Sequence, residues 1–325
     1  MDDIVVISNA IQKAAAITSK FEKVMVGVSG GADSDIMLDM LLKVVPVNKM
    51  RFVFFDTGIE YSATKEHLNE LEKKYGIKIE RVRPSKPVPL GCREYGLPFL
   101  SKFISQMIER LQKVGFDFAV DGTKSYEELV EKFPNTKGAL RWWCNKAPAK
   151  KVESQFNINL NAGLKEFMIA NPPDFKISDK CCLGAKKNPS KEWIRDNDVD
   201  LCCLGIRKNE GGIRSVKIKS CFDNDESGKV KHFRPIFWFN DSTKKEYCKR
   251  YDVNHSRCYT EYGYKRTGCA GCPFNSRFNE DLAIIDKCEP MLGVACRAIF
   301  GKSYEYTNKY KAFKEEFKRS KKQGE

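Results

Sequence analysis

Residues 24–35, Val24-Met-Val-Gly-Val-Ser29-Gly30-Gly31-Ala-Asp33-Ser34-Asp35, constrain this chain more than any other stretch. Val24, Met25, Val26 and Val28 form the apolar run of a strand buried in a parallel sheet. Ser29-Gly30-Gly31 breaks it, and Ile36, Met37, Met40, Leu41 and Val44 follow at helical spacing. Strand, glycine turn and helix in that order make an anion site. Paired glycines let the backbone approach closely, and the free amides of the helix start point at the ligand. Ser29 and Ser34 add hydroxyl donors. Asp33 stands either to cap the helix or to help hold a metal ion, Mg2+ being the candidate, near bound phosphates. A P-loop would end in Gly-Lys-Ser/Thr and a dinucleotide fold would carry G-x-G-x-x-G; neither is here. Taken alone, the stretch also fits a plain glycine-rich turn.

The remaining pattern gives it a context. Residues 51–55 read as a second strand ending in Asp56-Thr57-Gly58, residues 78–82 as a third, and 200–205 as a fourth. Helices are expected over 3–21, 64–75, 99–114, 125–133, from Lys146 to about Phe156, and over 241–251. Strands alternating with helices imply an α/β fold with a doubly wound parallel sheet, in which a carboxylate such as Asp56 at a strand's C-terminal tip meets the ligand. Residues 84–98, rich in proline and glycine, read as loop, and 263–274 as a turn-rich cysteine loop. From residue 281 the chain is expected to be helical, ending in a disordered lysine-rich tail. The expected division is a domain of residues 1–280 and a helical extension over 281–325.

Lys and Arg outnumber Asp and Glu by 57 to 43, a formal net charge of +14. Such an excess suits a polyanionic partner, nucleic acid or a nucleotide, or a solvated basic surface. With no apolar run of membrane-spanning length and no basic, apolar leader after Met1-Asp-Asp, the expectation is a cytoplasmic protein without a membrane partner. Thirteen cysteines in a reducing compartment point to metal ligands or reactive thiols. Cys269-Ala-Gly-Cys272 suits two thiolates on one metal centre, and the adjacent pair Cys181-Cys182 is placed to supply two more. Four thiolates suit zinc or an iron–sulfur cluster, and adjacent cysteines favour the cluster. Cys258 is a reserve ligand. Cys202 and Cys203 are read as strand packing, and Trp142, Trp143 and Trp238 as core or cluster cover. The three histidines, Cys92, Cys221, Cys248 and Cys288 are assigned no chemistry.

The Ser-Gly-Gly-x-Asp-Ser pattern resembles the pyrophosphatase loop of the PP-loop family. Further motifs, in order, are Asp56-Thr57-Gly58, Gly96-Leu-Pro-Phe-Leu-Ser101-Lys102, Arg141-Trp-Trp-Cys144, Ser178-Asp-Lys-Cys181-Cys182 with Lys186, Gly205-Ile-Arg207 through Glu210 to Arg214, Pro235 through Trp238 to Asp241, and Tyr264-Lys-Arg266-Thr-Gly-Cys269-x-x-Cys272. Together they resemble the phosphoadenylyl-sulfate reductase family in its broad sense, phage-borne members included. The resemblance implies a Rossmann-like adenine nucleotide alpha hydrolase fold with a cysteine-rich iron–sulfur region. ATP or an adenylyl sulfate would be held by Ser29, Gly30, Gly31, Asp33, Ser34, Asp56, Thr57, Gly58 and Arg266. Asp33, Lys186, Arg207 and Arg214 would act at its phosphates or sulfate, and a [4Fe-4S] cluster would sit on Cys181, Cys182, Cys269 and Cys272. Family members that reduce sulfonucleotides carry a cysteine in a flexible C-terminal tail. Here the last one, Cys296, falls in an expected helix. The same core is similar to sulfur-inserting enzymes of DNA phosphorothioation and to cluster-dependent tRNA thiolation enzymes. ATP-dependent activation and sulfur transfer, to nucleic acid as the candidate acceptor and from a donor such as a cysteine desulfurase, is therefore the expected function. Reduction of an adenylyl sulfate with a thioredoxin-type reductant is the alternative, and a nucleotide-binding partner protein with a structural cluster is the non-enzymatic one.

Overall fold

Alternate residues of the first strand face two different apolar clusters, and this fixes the layering. Val24, Val26 and Val28 pack with Ile36, Met37, Met40, Leu41, Phe52 and Phe54, whereas Met25 packs with Val53, Val199 and Cys202. A strand buried on both faces belongs in the middle of a parallel sheet. In the computed structural model, which describes residues 2–146, 157–210, 218–224 and 228–323, that is its place. The strands are β1 (Val24–Gly27), β2 (Met50–Phe55), β3 (Ile79–Val82), β4 (Leu201–Leu204), β5 (Phe222–Asn224) and β6 (Lys231–Phe233). Their spatial order is β3-β2-β1-β4-β6-β5, parallel throughout except for β5, which runs antiparallel to β6. Val24 stands opposite Met50 on one side and Leu201 on the other. The α/β class and doubly wound sheet expected from the pattern are present. Cys202 and Cys203 pack on opposite faces of β4, as expected.

The chain forms two compact units, residues 1–85 with 185–270, and residues 86–184 with 271–325. The first holds the sheet with α1 (Asp3–Thr18), α2 (Ala32–Val44), α3 (Ser62–Tyr75) and the helices Asn188–Asp196, Asp241–Tyr251 and Arg257–Thr260. Local signals explain the boundaries. Asp2 caps α1 by accepting from the Ile4 amide, and α3 stops at Gly76, whose φ of 62° suits a residue without Cβ. The 241–251 helix is capped by Asn240, which accepts from the Thr243 amide at 2.8 Å.

The second unit is helical around a core of Phe99, Ile108, Leu111, Trp142, Trp143, Phe167, Tyr306 and Tyr310. Two expectations fail here. Residues 88–95, read as loop, form a helix, because Pro89 falls in its first turn, where no amide is needed. The stretch from residue 281 is helical as expected, but its lysine-rich end, read as a disordered tail, continues the helix Pro290–Gln323 as far as Gln323. Its Tyr306 and Tyr310 hydroxyls donate to the carbonyls of Asn171 and Ala162, and Phe313 packs on Phe167. The expected 281–325 extension lies wholly in this unit. No helix among the described residues is long and apolar enough to cross a membrane.

Candidate functional site

The winding of the sheet locates a crevice before any side chain is considered. From β1 the chain moves outward through β2 to β3, then returns to place β4 on the other side of β1. Ligands in open α/β sheets bind at such a reversal, beyond the C-terminal ends of the strands. Three of the singled-out segments lie there: Ser29–Ser34 after β1, Asp56–Gly58 after β2, and Gly205–Arg207 after β4.

The loop after β1 is closed by its serines. Ser34 Oγ donates to the Gly31 carbonyl at 2.8 Å and accepts from the Ser29 amide at 3.2 Å and the Ser29 hydroxyl at 3.0 Å. The Gly31 amide donates to Ser29 Oγ at 3.4 Å. Gly30 has φ +66°, and a Cβ on it would stand 2.8 Å from Thr64 Cγ2 on α3. The glycine therefore permits both the turn and the approach of α3. Gly31 is the N-cap of α2 and makes no side-chain cap. Asp33 lies in the first turn, so of its two expected roles helix capping is not taken up.

Asp33 instead gathers cations. Arg207 Nε donates to both of its oxygens at 3.1 Å, and Lys244 Nζ lies 2.5 Å from Oδ1. The other arm of Arg207 reaches Asp241 Oδ1 at 2.9 Å. Burial works against the charge of Arg207, yet Asp33 and Asp241 raise its pKa. At the tip of β2, Asp56 Oδ1 accepts from the Gly58 amide at 2.9 Å, shaping a turn in which Gly58 has φ +81°. Thr57 Oγ1 donates to Glu60 at 2.6 Å. Burial raises the pKa of Glu60, against the pull of Lys186, which places Lys186 within the field of the same turn. Arg266 is exposed and pairs with Glu210 at 3.3 Å. Arg214 lies outside the described residues.

Sequence reasoning missed two contributors, Lys244 and Tyr259, and gave no role to two more, Asp241 and Thr267, that stood in its motifs. Lys244 and Asp241 complete the charge network from the 241–251 helix. Tyr259 accepts from the Ala32 amide at 3.1 Å and shares a 2.8 Å hydrogen bond with Thr267, so it occupies one amide at the helix start. The signal available for Tyr259 was its nearness to the Arg266 motif, which itself contains Thr267. Trp238, expected in the core or as cluster cover, is 55% exposed, so it is not a core residue, and Lys208 is stacked 4.9 Å over its ring.

In the second unit Cys181 lies close enough to Cys182, Cys92 and Cys272 to feel each of them. Cys182 hydrogen-bonds to Cys181 and lowers its pKa, but Cys92, burial and Cys272 together carry it up. Cys182 is raised by Cys181 and burial, against the pull of Lys102. Gly91 lets the 88–95 helix meet Cys181, since a Cβ there would stand 3.3 Å from Cys181 Cα. Gly271, two residues past Cys269, has φ +58° and no room for a Cβ beside Cys296 and Tyr304. Cys269 belongs to the first unit. The set is soft and thiol-rich, which fits an iron–sulfur centre in chemistry. Among the described residues no group of three or more His, Cys, Asp or Glu is arranged to hold a single metal ion. The reserve ligand Cys258 is buried against Thr64 Oγ1 at 3.7 Å.

The pattern of the phosphoadenosine phosphosulfate reductase domain family matches residues 23–132 and 147–275. An uncharacterised protein of Methanocaldococcus jannaschii is 38% identical over 91 residues, 28% of this chain, and the match spans only 18% of that relative's length. Among solved structures, the chain is similar to a phosphoadenylyl-sulfate reductase from Candida auris in complex with phosphate (15% identity, 80% of this chain and 86% of that one, TM-score 0.43). It is also similar to an NH3-dependent NAD synthetase from Campylobacter jejuni (11%, 94% and 96%, 0.37). A third is a U34-tRNA thiolase from Methanococcus maripaludis with its [4Fe-4S] cluster (13%, 97% and 80%, 0.34). With its motifs in order and the family pattern matched over most of its length, the chain belongs to the phosphoadenosine phosphosulfate reductase domain family.

Proposed function

We propose that this chain is an adenine-nucleotide-dependent PP-loop enzyme that activates an acceptor with ATP and transfers sulfur to it, nucleic acid being the acceptor class. The observation that carries the reading is the serine-closed loop Ser29–Ser34 at the sheet's switch point, with Arg207 and Lys244 gathered on Asp33 beside it. Amides of the loop and the start of α2 receive the phosphates, and Asp56, Thr57, Gly58 and Arg266 complete the nucleotide site. Asp33, Lys186, Arg207 and Arg214 serve the α-phosphate. An acceptor oxygen attacks it and pyrophosphate leaves; a sulfur nucleophile from a donor then displaces AMP from the acceptor. Guanidinium and ammonium groups stabilise the charge that builds on phosphate oxygens in both steps. Cys181, Cys182, Cys269 and Cys272 would hold a [4Fe-4S] cluster, which when bound would supply a place to hold sulfur for transfer. The net charge of +14 supports a polyanionic acceptor.

The name of the family favours a second reading, reduction of an adenylyl sulfate. One experiment separates them. Anaerobically purified protein is assayed for pyrophosphate release from ATP with and without nucleic acid, and for turnover of adenylyl sulfates with reduced thioredoxin. Nucleic-acid-stimulated pyrophosphate release is the expected result. Thioredoxin-dependent turnover without it overturns sulfur transfer in favour of reduction.

A further inference from the structure

Outside the phosphate site, the first unit contains a line of groups that the reading above does not use. Asp35, fully buried on α2, directs Oδ2 at two imidazoles: His255 Nδ1 at 2.9 Å and His67 Nε2 at 3.1 Å. Its Oδ1 is buried without a hydrogen-bond partner among the described residues. The far nitrogen of His255 faces Cys248 Sγ at 3.4 Å. A carboxylate only accepts, so Nδ1 of His255 carries the hydrogen toward Asp35 and Nε2 is left to exchange a proton with sulfur. Carboxylate, imidazole and thiol thus stand in the order that activates a nucleophile: a base within reach of the thiol, itself oriented by a third group. Cys248, on the 241–251 helix, and His255 are both only partly buried, so the line opens toward solvent at its sulfur end.

We propose that Cys248 is a nucleophilic thiol served by His255 and Asp35, and that it takes sulfur electrophiles, attacking the S–S bond of a low-molecular-weight disulfide or a persulfide. A new S–S bond forms at Cys248, the old one breaks, and the departing thiolate takes a proton from the His255 imidazolium, which the proton given up by Cys248 restores. Attack on a disulfide leaves a mixed disulfide; attack on the outer sulfur of a persulfide leaves a persulfide on Cys248. No external oxidant is needed, and the site does not depend on the nucleotide reading.

The charge of the imidazole suits this role. Burial works to lower the pKa of His255, but its hydrogen bonds to Asp35 and Cys248 carry it up to about 9, so at neutral pH the imidazolium stands beside the sulfur, ready to protonate the departing thiolate. The groups facing the line are His67 and Glu70 on α3, paired at 3.2 Å, and Tyr259, whose ring centroid is 5.7 Å from that of His255. His67 shares Asp35 with His255, and no hydrogen bond joins it to Cys248, so it is the natural control.

The test uses the reduced full chain and peptide-mapped mass spectrometry. In the wild type, iodoacetamide at neutral pH should label Cys248 faster than Cys144 and Cys288, two partly buried thiols outside the proposed cluster set. His255→Gln should slow labelling at Cys248 by about a hundredfold, the low end of what a positioned base supplies, while His67→Gln leaves it near the wild-type rate. Incubation with glutathione disulfide, and separately with glutathione persulfide, tells the two sulfur sources apart by the adduct on Cys248, and either adduct supports the proposal. A wild-type Cys248 no faster than Cys288, an unchanged or faster rate in His255→Gln (as a loosened brace would give), or no adduct from either reagent overturns it. The wild-type ranking requires no variant to fold.

Discussion

Gly205 follows β4 and lies against the backbone of the phosphate loop, so replacing it by alanine tests how tightly the two strand tips are fitted. A Cβ there would stand 2.8 Å from the Asp33 carbonyl oxygen, 2.9 Å from its carbonyl carbon and 2.9 Å from Ser34 Cα. Carbon atoms rest at roughly 3.5–4.0 Å, and all three neighbours are backbone, so none can swing aside. The loop must shift by about half an ångström or more. Overpacking of this kind costs about 1–3 kcal/mol, offset by the roughly 0.4–1 kcal/mol that alanine gains by restricting the unfolded chain. At about 2–4 °C per kcal/mol for a unit of this size, Gly205→Ala should melt several degrees below wild type. It should also weaken ATP by about tenfold, because the amides that meet the phosphates move with Asp33 and Ser34. Scanning fluorimetry and calorimetry measure the two. Gly268→Ala is the control, since a Cβ at Gly268 meets nothing within 4 Å. If Gly205→Ala melts with the control and binds ATP like wild type, the close approach of β4 to the loop is not what shapes the site.

Gly301→Ala, in the interior of the Pro290–Gln323 helix where a Cβ meets nothing within 4 Å, should stabilise the protein by about 0.5–1 kcal/mol in denaturant titration. His67 and His255 both have pKa values raised above the ordinary one. They hold more protons folded than unfolded, so their stabilisation is full below the ordinary value of about 6.5 and is lost as pH climbs toward about 9 for His255. Melting temperature should fall across that window, and His255→Gln should flatten the fall; a rise would show the sign to be wrong. Cys272→Ser should lower the iron of anaerobically purified protein, about four per chain for a cubane, whereas Cys203→Ser should leave it unchanged, as a colorimetric iron assay will show.

What the sequence revealed tracks how local the governing physics is. The phosphate loop was legible because strand, glycine turn and helix are adjacent in the chain, and β1 to β4 were legible because central parallel strands are continuously apolar. Strands β5 and β6, three residues each, carry no period long enough to read. The helix at 88–95 was hidden by its prolines, which mark loops in general but are harmless in a first turn. The C-terminal helix itself was expected, but its continuation to Gln323 was hidden by its lysines, and the role of its Tyr306, Tyr310 and Phe313 as a core face shows only once residues 99–171 are folded beneath them. Site residues divide the same way. Ser29, Asp33 and Asp56 follow from local pattern, but Lys244 meets Asp33 across more than two hundred residues, and the Asp35–His255–Cys248 line joins α2 to residues with no motif of their own.

The Asp33 network raises the question of whether an aspartate that occupies two cations helps or hinders a phosphate. Arg207 comes from beyond β4 and Lys244 from the 241–251 helix, and the carboxylate both of them meet is Asp33. Arg207 is 8% exposed and keeps Asp241 as a second partner, whereas among the described residues Lys244 pairs with Asp33. In Asp33→Asn the amide preserves the shape and removes the charge. Restraint would be relieved, freeing both cations for phosphate, but their shared anchor would be gone. Pre-placement is worth more than release when long, rotamer-rich side chains must otherwise be ordered on binding. Asp33→Asn should therefore lose stability, by about 1–3 kcal/mol for a partly buried charge left under-paired, and lose ATP affinity with it. Calorimetry that found tighter ATP binding in a destabilised Asp33→Asn would show that Asp33 holds the cations back from the nucleotide instead of holding them ready for it.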